Sequence, residues 1–387
     1  AYLVSTCRTL QLTQFRRTAS KARPSWSRRR ERRLSRLIVE EISLRSFRSY
    51  ERLELALGSG LVLATGPNGA GKTNLLEALH VGTQGFSPRT RNDRQLIRFG
   101  DAAARVAVSG RRADVPVGVE LKLEAGAAKH ASLNGAPLRS VEQLRSELTT
   151  LVFTPDRLGV VKGAPAARRA YFDRALGRLS PARAQLPADY GAAVAQRNAS
   201  LRRISMGAST RDAIAPWTQQ VADLGTQLVA ARREVLVLLA PAFAAHAAAF
   251  ELDDAELRYD GEPPTVEQLE QRLARDLERG LTGAGPHLDD VLVTAAGRDL
   301  RSFGSQGEQR LAVLALLLAE ADLVAERRGS PPLLLLDDVL SELDPARRRT
   351  LAELVAGRGQ TLVTATDPAM LPADPDQLVE VRAGTAR

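Results

Sequence analysis

The sequence of 387 residues predicts an α/β fold whose two α/β segments are separated in the chain by a helical insertion. Short, fully apolar runs at Leu61 to Thr65 and Leu333 to Leu336 are typical of buried strands. Between them, from Pro165 to about Gly280, apolar residues recur at helical spacing among Ala, Arg, Gln and Glu. We therefore assign residues 37–165 and 282–387 to one α/β lobe and residues 166–281 to a helical lobe.

Further strands are predicted on both sides of the insertion. Apolar residues alternate from Leu37 to Phe47, which predicts a strand, a turn and a second strand near Leu53 to Leu57. Asn134-Gly135 is a turn signal between two short strands. Other short strands are expected at Arg105 to Val108, Val117 to Leu123, Leu151 to Phe153 and Thr361 to Thr364.

The helical insertion is expected to contain three to five helices. Prolines are expected to interrupt it near Pro181, Pro216 and Pro241. The stretch 250–265 has no clear helical pattern.

Composition excludes several classes of protein. The sequence is 44% hydrophobic and 26% charged, and it has no apolar run of about 18 residues, so a membrane protein is not expected. Cys7 is the single cysteine and the four histidines are scattered, which excludes a disulfide framework and a cysteine zinc site. A reducing, cytoplasmic compartment fits this composition.

The positive charge is concentrated at the amino terminus. Residues 1–36 contain eleven Arg or Lys and one acid, Glu31, so their net charge is +10 while that of the whole chain is +9. The rest of the chain is nearly neutral. We interpret residues 1–36 as a basic, disordered extension, with a nucleic-acid-binding arm as the alternative.

A phosphate loop follows the first buried strand and precedes a helix predicted over Asn74 to Val81. Such a loop needs glycines so that backbone N–H groups surround phosphate oxygens, a lysine for the terminal phosphates, and a hydroxyl for Mg²⁺. Lys72 and Thr73 supply the last two, and Asn74 continues the site. The loop comprises Gly66, Pro67, Asn68, Gly69, Ala70, Gly71, Lys72 and Thr73.

An acidic pair follows the second apolar run. Asp337 is expected to reach Mg²⁺ beside Thr73, and Asp338 is placed to polarise an attacking water. Two carboxylates beside four leucines are costly unless they meet a cation. Lys72 and Asp338 are therefore the candidate catalytic residues, and ATP with Mg²⁺ the expected ligands.

A second phosphate-binding surface is predicted at the segment Ser305, Gln306 and Gly307, which precedes the helical run Leu311 to Leu318. Ser305 with Glu308 also forms a helix capping box, so a purely structural role is the alternative. The segment lies about 30 residues before the acidic pair and resembles the signature motif of ABC-type ATPases. In that superfamily the signature of one subunit closes on ATP held by another.

Several segments resemble the RecF family of SMC-like ATPase heads. They are Phe47 to Tyr50, Pro155 to Asp173, Gln196 to Asn198, Gly285 to His287, and Asp338 to Asp344. The insertion of roughly 115 residues is too short and too rich in proline for the long coiled coil of an SMC protein. The resemblance covers about Leu37 to Val381 and implies an ABC-type ATPase head, a P-loop NTPase, with an inserted helical lobe.

The resemblance also implies a function. It implies a cytoplasmic DNA replication and repair protein that binds DNA, dimerises with ATP at the interface and hydrolyses ATP slowly. RecO and RecR proteins are the implied partners, and gaps or junctions between single- and double-stranded DNA the implied sites. By the same resemblance Arg48 and Ser49 contact the nucleotide.

Two alternatives remain open, a transporter ATPase subunit and an SMC-like linker. A transporter subunit usually carries a glutamine near Thr154 and a switch histidine near Thr364 to Asp367, and this chain has neither. Asp367 is a candidate γ-phosphate sensor or a helix cap. The candidate DNA contacts, for which intramolecular ion pairs are the alternative, are Arg89, Arg91, Arg168, Arg169, Arg197, Arg202 and Arg203.

Overall fold

The computed structural model describes residues 37–387 apart from Glu142, and the predicted extension 1–36 lies outside the described residues. Within this range no helix is both long and apolar enough to cross a membrane. The strands of this part of the chain are β1 (Leu37–Phe47), β2 (Tyr50–Ala56), β3 (Leu61–Thr65), β4 (Ala103–Arg112), β5 (Val115–Glu124), β6 (His130–Leu133), β7 (Ala136–Pro137), β8 (Thr150–Phe153), β9 (Glu256–Asp260), β10 (Asp290–Ala295), β11 (Arg298–Asp299), β12 (Leu333–Leu336), β13 (Thr361–Ala365), β14 (Gln377–Arg382) and β15 (Thr385–Ala386). The helices are α1 (Lys72–Gln84), α2 (Gln143–Glu147), α3 (Pro165–Leu179), α4 (Leu186–Ser205), α5 (Ala215–Ala249), α6 (Val266–Gln271), α7 (Leu273–Arg279), α8 (Leu300–Phe303), α9 (Gln306–Arg328) and α10 (Pro345–Val355).

The central sheet brings both halves of the chain together. Its strand order is β15-β14-β3-β13-β12-β8, and the strands from β14 to β8 run parallel. Strand β13 lies between the other two site-bearing strands, because Val363 pairs with Leu63 on one side and with Leu336 on the other. The carboxyl ends of β3, β13 and β12 therefore meet at one edge, where ligands bind in sheets of this kind.

The predicted buried strands are confirmed, and the core explains their continuous apolar runs. Along β12, Leu333 and Leu335 pack in one cluster with α1 and the antiparallel sheet β2-β1-β4-β5-β6-β7. Leu334 and Leu336 face a second cluster that contains α9 and the insertion helices. A parallel strand covered on both faces needs apolar residues at every position.

The helical insertion contains five helices, α3 to α7, which agrees with the prediction of three to five. The predicted interruption at Pro241 is wrong, because α5 runs through it. Pro241 is exposed, and Val237, whose carbonyl loses its helical partner, is also exposed to water. The opposite face buries Leu239 and Phe243 completely, so packing keeps the helix continuous through the proline.

The ambiguous stretch 250–265 contains a strand rather than a helix. Strand β9 pairs antiparallel with β10, and Val291 of β10 lies opposite Tyr259. With β11 these strands form a sheet of three that links the insertion to the second α/β segment.

Candidate functional site

The phosphate loop connects β3 to α1, as predicted. Gly66 has a φ of 154°, and a Cβ at this position would lie 2.1 Å from the Val381 carbonyl oxygen of β14. Gly71 caps α1 with a φ of 114°, and a Cβ there would press against Tyr50 and Ser49. Only glycine fits these two positions, so the loop can turn its N–H groups toward a phosphate.

Lys72, the first residue of α1, is folded back over the loop. Its Nζ donates hydrogen bonds to the carbonyl oxygens of Gly66 (2.6 Å) and Pro67 (3.0 Å). Burial lowers the pKa of Lys72, while the charges of Asp338 and Asp337 act in the opposite direction. The ammonium is thus held within the loop, beside the acidic pair.

The turn between β1 and β2 supports the start of α1. The buried Tyr50 hydroxyl donates to the Gly71 carbonyl oxygen (3.1 Å), and Asn74 Nδ2 donates to Ser49 Oγ (2.9 Å). The structure therefore places Ser49 and Asn74, both predicted nucleotide contacts, side by side at the first turn of α1.

Arg48, the third predicted contact outside the loop, is held by a buried carboxylate. Its Nε and Nη2 each donate to Glu77 of α1 at 2.8 Å, and the Glu77 side chain is fully buried. Glu77 also accepts from Ser87 Oγ (2.5 Å) and from Arg89 Nη1 (3.3 Å). The sequence reasoning missed Glu77, because its partners come from two segments outside α1, one before the helix and one after it.

The acidic pair meets the phosphate loop through hydroxyl groups. Asp337 Oδ1 accepts from Thr73 Oγ1 (3.0 Å) and from Thr364 Oγ1 of β13 (2.9 Å). Thr73 and Asp337 thus form the hydroxyl and carboxylate pair that fits Mg²⁺, which takes few protein ligands when phosphates and water complete its shell. In the described part of the chain no group of three or more His, Cys, Asp or Glu side chains could hold a metal on its own.

Asp338 adopts a conformation that few non-glycine residues take. Its φ is 50°, in the left-handed region, and its backbone N–H donates to Thr364 Oγ1 at 2.8 Å. Among the described residues its Oδ1 is buried without a hydrogen-bond partner. A strained backbone and a carboxylate oxygen without a partner are both costly, and such features concentrate at functional sites.

The surroundings of Asp337 shift the pKa of its carboxyl group. Burial raises its pKa, the hydrogen bonds from Thr364 and Thr73 lower it, and the charge of Asp338 raises it further. The net direction is upward. A cation at this place would offset the cost of burying a charged carboxylate, because it favours the charged form of Asp337.

Thr364 is a site residue to which the sequence reasoning gave no role. It is fully buried, and its hydroxyl joins the Asp337 side chain to the Asp338 backbone. A polar residue at the end of an apolar strand was the available signal. Asp367 caps a short 3₁₀ turn by accepting from the Ala369 N–H (2.8 Å), which confirms the capping alternative, while the sensor role stays a prediction.

The predicted signature lies at the start of α9. Ser305, Gln306 and Gly307 are exposed, and Ser305 and Glu308 form the expected capping box. In the described range no hydrogen bond or ion pair joins these three residues to the phosphate loop of the same chain. Three residues further on, Arg310 forms an ion pair with Glu342, which follows the acidic pair.

Two of the candidate DNA contacts are wrong, because they are buried. Arg168 pairs with Asp290 through two hydrogen bonds of 2.7 and 2.6 Å, and Arg197 donates to Asp276 at 2.8 Å. The guanidinium of Arg168 thus joins the insertion to β10, and that of Arg197 joins α4 to α7 within the insertion. The exposed candidates are Arg89, Arg91, Arg202 and Arg203, whereas Arg169 is partly buried and donates to the Asp289 carbonyl oxygen.

The fold and the site together define an SMC-like ABC-type ATPase head. Residues 38–386 match the family model described as RecF/RecN/SMC N terminal domain. The Smc head domain of Pyrococcus furiosus shares the fold, with 17% identity and a TM-score of 0.57 over 91% of this chain and 95% of that one.

Within that class the chain belongs to the RecF family. It is 37% identical over 374 residues to the DNA replication and repair protein RecF of Symbiobacterium thermophilum, covering 90% of this chain and 98% of the relative. A structure of the recombination mediator protein RecF-ATP in the RecFOR pathway superposes with a TM-score of 0.84 and 26% identity, over 93% of this chain and 99% of that one. The predicted fold class and family are confirmed.

Proposed function

We propose that this protein is an ATP-dependent DNA-binding ATPase of recombination and repair. ATP joins two copies on DNA at gaps or junctions, and slow hydrolysis separates them. The DNA-bound dimer acts in the cytoplasm with RecO- and RecR-like proteins to load recombinase and restart replication. Family membership supports the repair role, since the relatives are named DNA replication and repair protein RecF and a RecF structure is assigned to the RecFOR pathway.

The observation that carries the proposal is the pair of hydrogen bonds that Thr73 and Thr364 donate to Asp337. A hydroxyl from α1 and a hydroxyl from β13 each lie within 3.0 Å of one carboxylate oxygen at the end of β12. Bound Mg²⁺, held by Thr73 and Asp337, would neutralise charge on the phosphates. Lys72 would contact the terminal phosphates, and Asp338 would orient the attacking water and accept its proton.

Dimerisation follows from the exposed signature. Ser305 and the Gly307 N–H lie at the amino terminus of a helix of 23 residues, which favours an anion. We propose that they bind the terminal phosphate of ATP held by the other copy. ATP then adds contacts that exist only between two copies, so it shifts the equilibrium toward the dimer.

The test is light scattering of the purified chain with and without ATP and DNA. We expect ATP to raise the mean mass toward that of a dimer and to promote DNA binding at low salt. Lys72→Met should lose both effects, because it removes the charge that contacts the phosphates. Ser305→Arg should still bind a fluorescent ATP analogue but remain a monomer, since the change is confined to the exposed signature.

The two variants separate ATP binding from dimerisation. If the wild-type chain stays monomeric with ATP and binds no DNA at low salt, the proposal is wrong. If Ser305→Arg dimerises as well as the wild type, the signature is not part of the interface.

A further inference from the structure

A cationic cavity of about 760 Å³ opens beside the start of α1. Its near wall is formed by Arg48, Ser49 and Asn74, which we assign to the nucleotide site. Its far wall is formed by the segment 94–101, including Arg94 and Phe99, which no step of ATP binding or hydrolysis uses.

Phe99 is the most exposed large hydrophobic residue among those described, at 103% of its reference area. It lies at the apex of a turn in which the Asp101 N–H donates to the Arg98 carbonyl oxygen (3.0 Å). Gly100 follows with a φ of 93°, a conformation that glycine adopts at no cost. The turn thus holds an aromatic ring in water, where it contributes nothing to the core.

The turn is anchored, so the exposed ring has a defined position. Leu96 is fully buried and Ile97 nearly so. The Arg48 N–H donates to the Leu96 carbonyl oxygen, and the Arg98 N–H donates to that of Ser46, both at 2.8 Å. A rigid platform loses little conformational entropy when a ligand stacks on it.

The charge around the ring is positive. Four arginines and one aspartate line the cavity. Glu77 offsets Arg48 and Arg89, and Glu51 lies 3.2 Å from Arg98. Arg94 is exposed, and so is Arg91, three residues before it in the chain. Neither arginine forms an ion pair with any of the described residues.

We propose that this turn binds single-stranded nucleic acid, with one unpaired base stacked on Phe99 and the adjoining phosphates against Arg94 and Arg91. The inference rests on the proposed DNA-binding function and names the part of the DNA that this surface takes. An aromatic ring in a cationic groove is the pattern that binds single strands, because every base has a stacking face. A paired base inside a duplex has no such face free, so duplex DNA should not use the ring.

The test measures binding of a fluorescent oligothymidylate of about 15 nucleotides and of a duplex of equal length by anisotropy with ATP. Phe99→Ala should weaken single-strand binding about tenfold and leave duplex binding unchanged. Arg94→Gln should weaken it and reduce the salt slope by about 0.7. Phe99→Trp should keep the affinity, and its added fluorescence should be quenched by the oligonucleotide.

Val237→Ala, which shortens an equally isolated apolar side chain on α5 with 72% exposure, is the matched control and should change nothing. The proposed function fails together with this inference if the wild type binds neither DNA. Only the inference is overturned if the wild type binds duplex but no single strand, or if Phe99→Ala binds the oligonucleotide normally. It is also overturned if Phe99→Ala weakens binding of a fluorescent ATP analogue rather than of the oligonucleotide. That result would mean that the ring contacts the base of ATP.

Discussion

Thr364 donates a hydrogen bond of 2.9 Å to Asp337, although 27 residues separate them in the chain. The same hydroxyl accepts from the N–H of Asp338 at 2.8 Å. One buried side chain therefore holds the Asp337 carboxylate, which would bind Mg²⁺, and the backbone of Asp338, whose carboxylate would orient water.

Thr364→Val should reduce the hydrolysis rate more than ATP binding. The valine has the same shape but leaves the Asp338 N–H without an acceptor and removes a donor from Asp337. We expect kcat to fall about a hundredfold, because small displacements of catalytic groups are costly, and the free energy of unfolding to fall by about 2 kcal/mol. Steady-state kinetics and thermal melting measure the two effects.

The matched control is Thr361→Val on the same strand. Thr361 is also buried, but its hydroxyl has no hydrogen-bond partner among the described residues. Removing it should leave kcat and stability unchanged or slightly improve stability. Equal loss of activity in both variants would refute the role given to Thr364.

Asp338→Asn should separate hydrolysis from dimerisation. The amide cannot accept the proton of the attacking water, so we expect kcat to fall by about 10²–10⁴. The variant keeps the loop, Lys72 and the signature, so ATP should still produce the dimer, which then persists. Light scattering after ATP addition follows its lifetime. Dimers that dissociate as fast as those of the wild type would assign the water-orienting role elsewhere.

The raised pKa of Asp337 predicts a pH dependence. Burial is the largest cause, and Asp338 adds to it. Binding of Mg²⁺ with ATP needs the charged form, so affinity should fall as pH is lowered, beginning above the ordinary range of an aspartate. In Asp338→Asn the added repulsion is lost, and the decline should move to lower pH. A decline at the same pH in both proteins contradicts this explanation.

The raised pKa of Asp337 should also make the stability of the ligand-free protein depend on pH. Because Asp337 binds its proton more tightly in the folded chain than in the unfolded chain, its contribution to the free energy of unfolding falls as pH rises through its folded pKa. Asp337→Asn removes the charge, keeps an oxygen acceptor, and should raise the Tm of the free protein at neutral pH by about 2 °C. It should also abolish Mg²⁺-dependent ATP binding. An unchanged or lower Tm would argue against a destabilising buried charge.

Arg197→Met should destabilise the fold rather than weaken DNA binding directly. It leaves Asp276, which is 1% exposed, without its charged partner. Breaking a buried pair in this way costs about 3–5 kcal/mol, which urea unfolding would measure. The exposed Arg203→Gln is the control and should change stability little. If Arg197→Met unfolds normally but loses DNA affinity, the guanidinium has a role that burial does not predict.

Much of the site could be predicted because it is encoded in consecutive residues. The strand, loop and helix from Leu61 to Gln84 adjoin in the chain, so the spacing of the glycines, Lys72 and Thr73 already implied their geometry. The same is true of the capping box at Ser305. Local hydrogen bonds decide such features, and they leave local patterns.

Other features could not be predicted, because long-range packing decides them. No pattern in the sequence distinguishes the buried Arg197 from the exposed Arg203 on the same helix. Pro241 continues a helix because its exposed face can be hydrated while Phe243 is held in the core. Glu77 meets Arg48 and Arg89 only once three segments have packed together.

From the sequence alone, the phosphate loop, the acidic pair, the capping box at Ser305 and the family were determined, since each depends on short runs of residues with their own chemistry. Only the tertiary structure placed β13 between β3 and β12, and with it Thr364 between Asp337 and Asp338. Only the structure placed Phe99 in solvent beside Arg94. The order of strands in a sheet and the exposure of a turn depend on which distant surfaces are buried together. Short runs of consecutive residues do not determine that long-range packing.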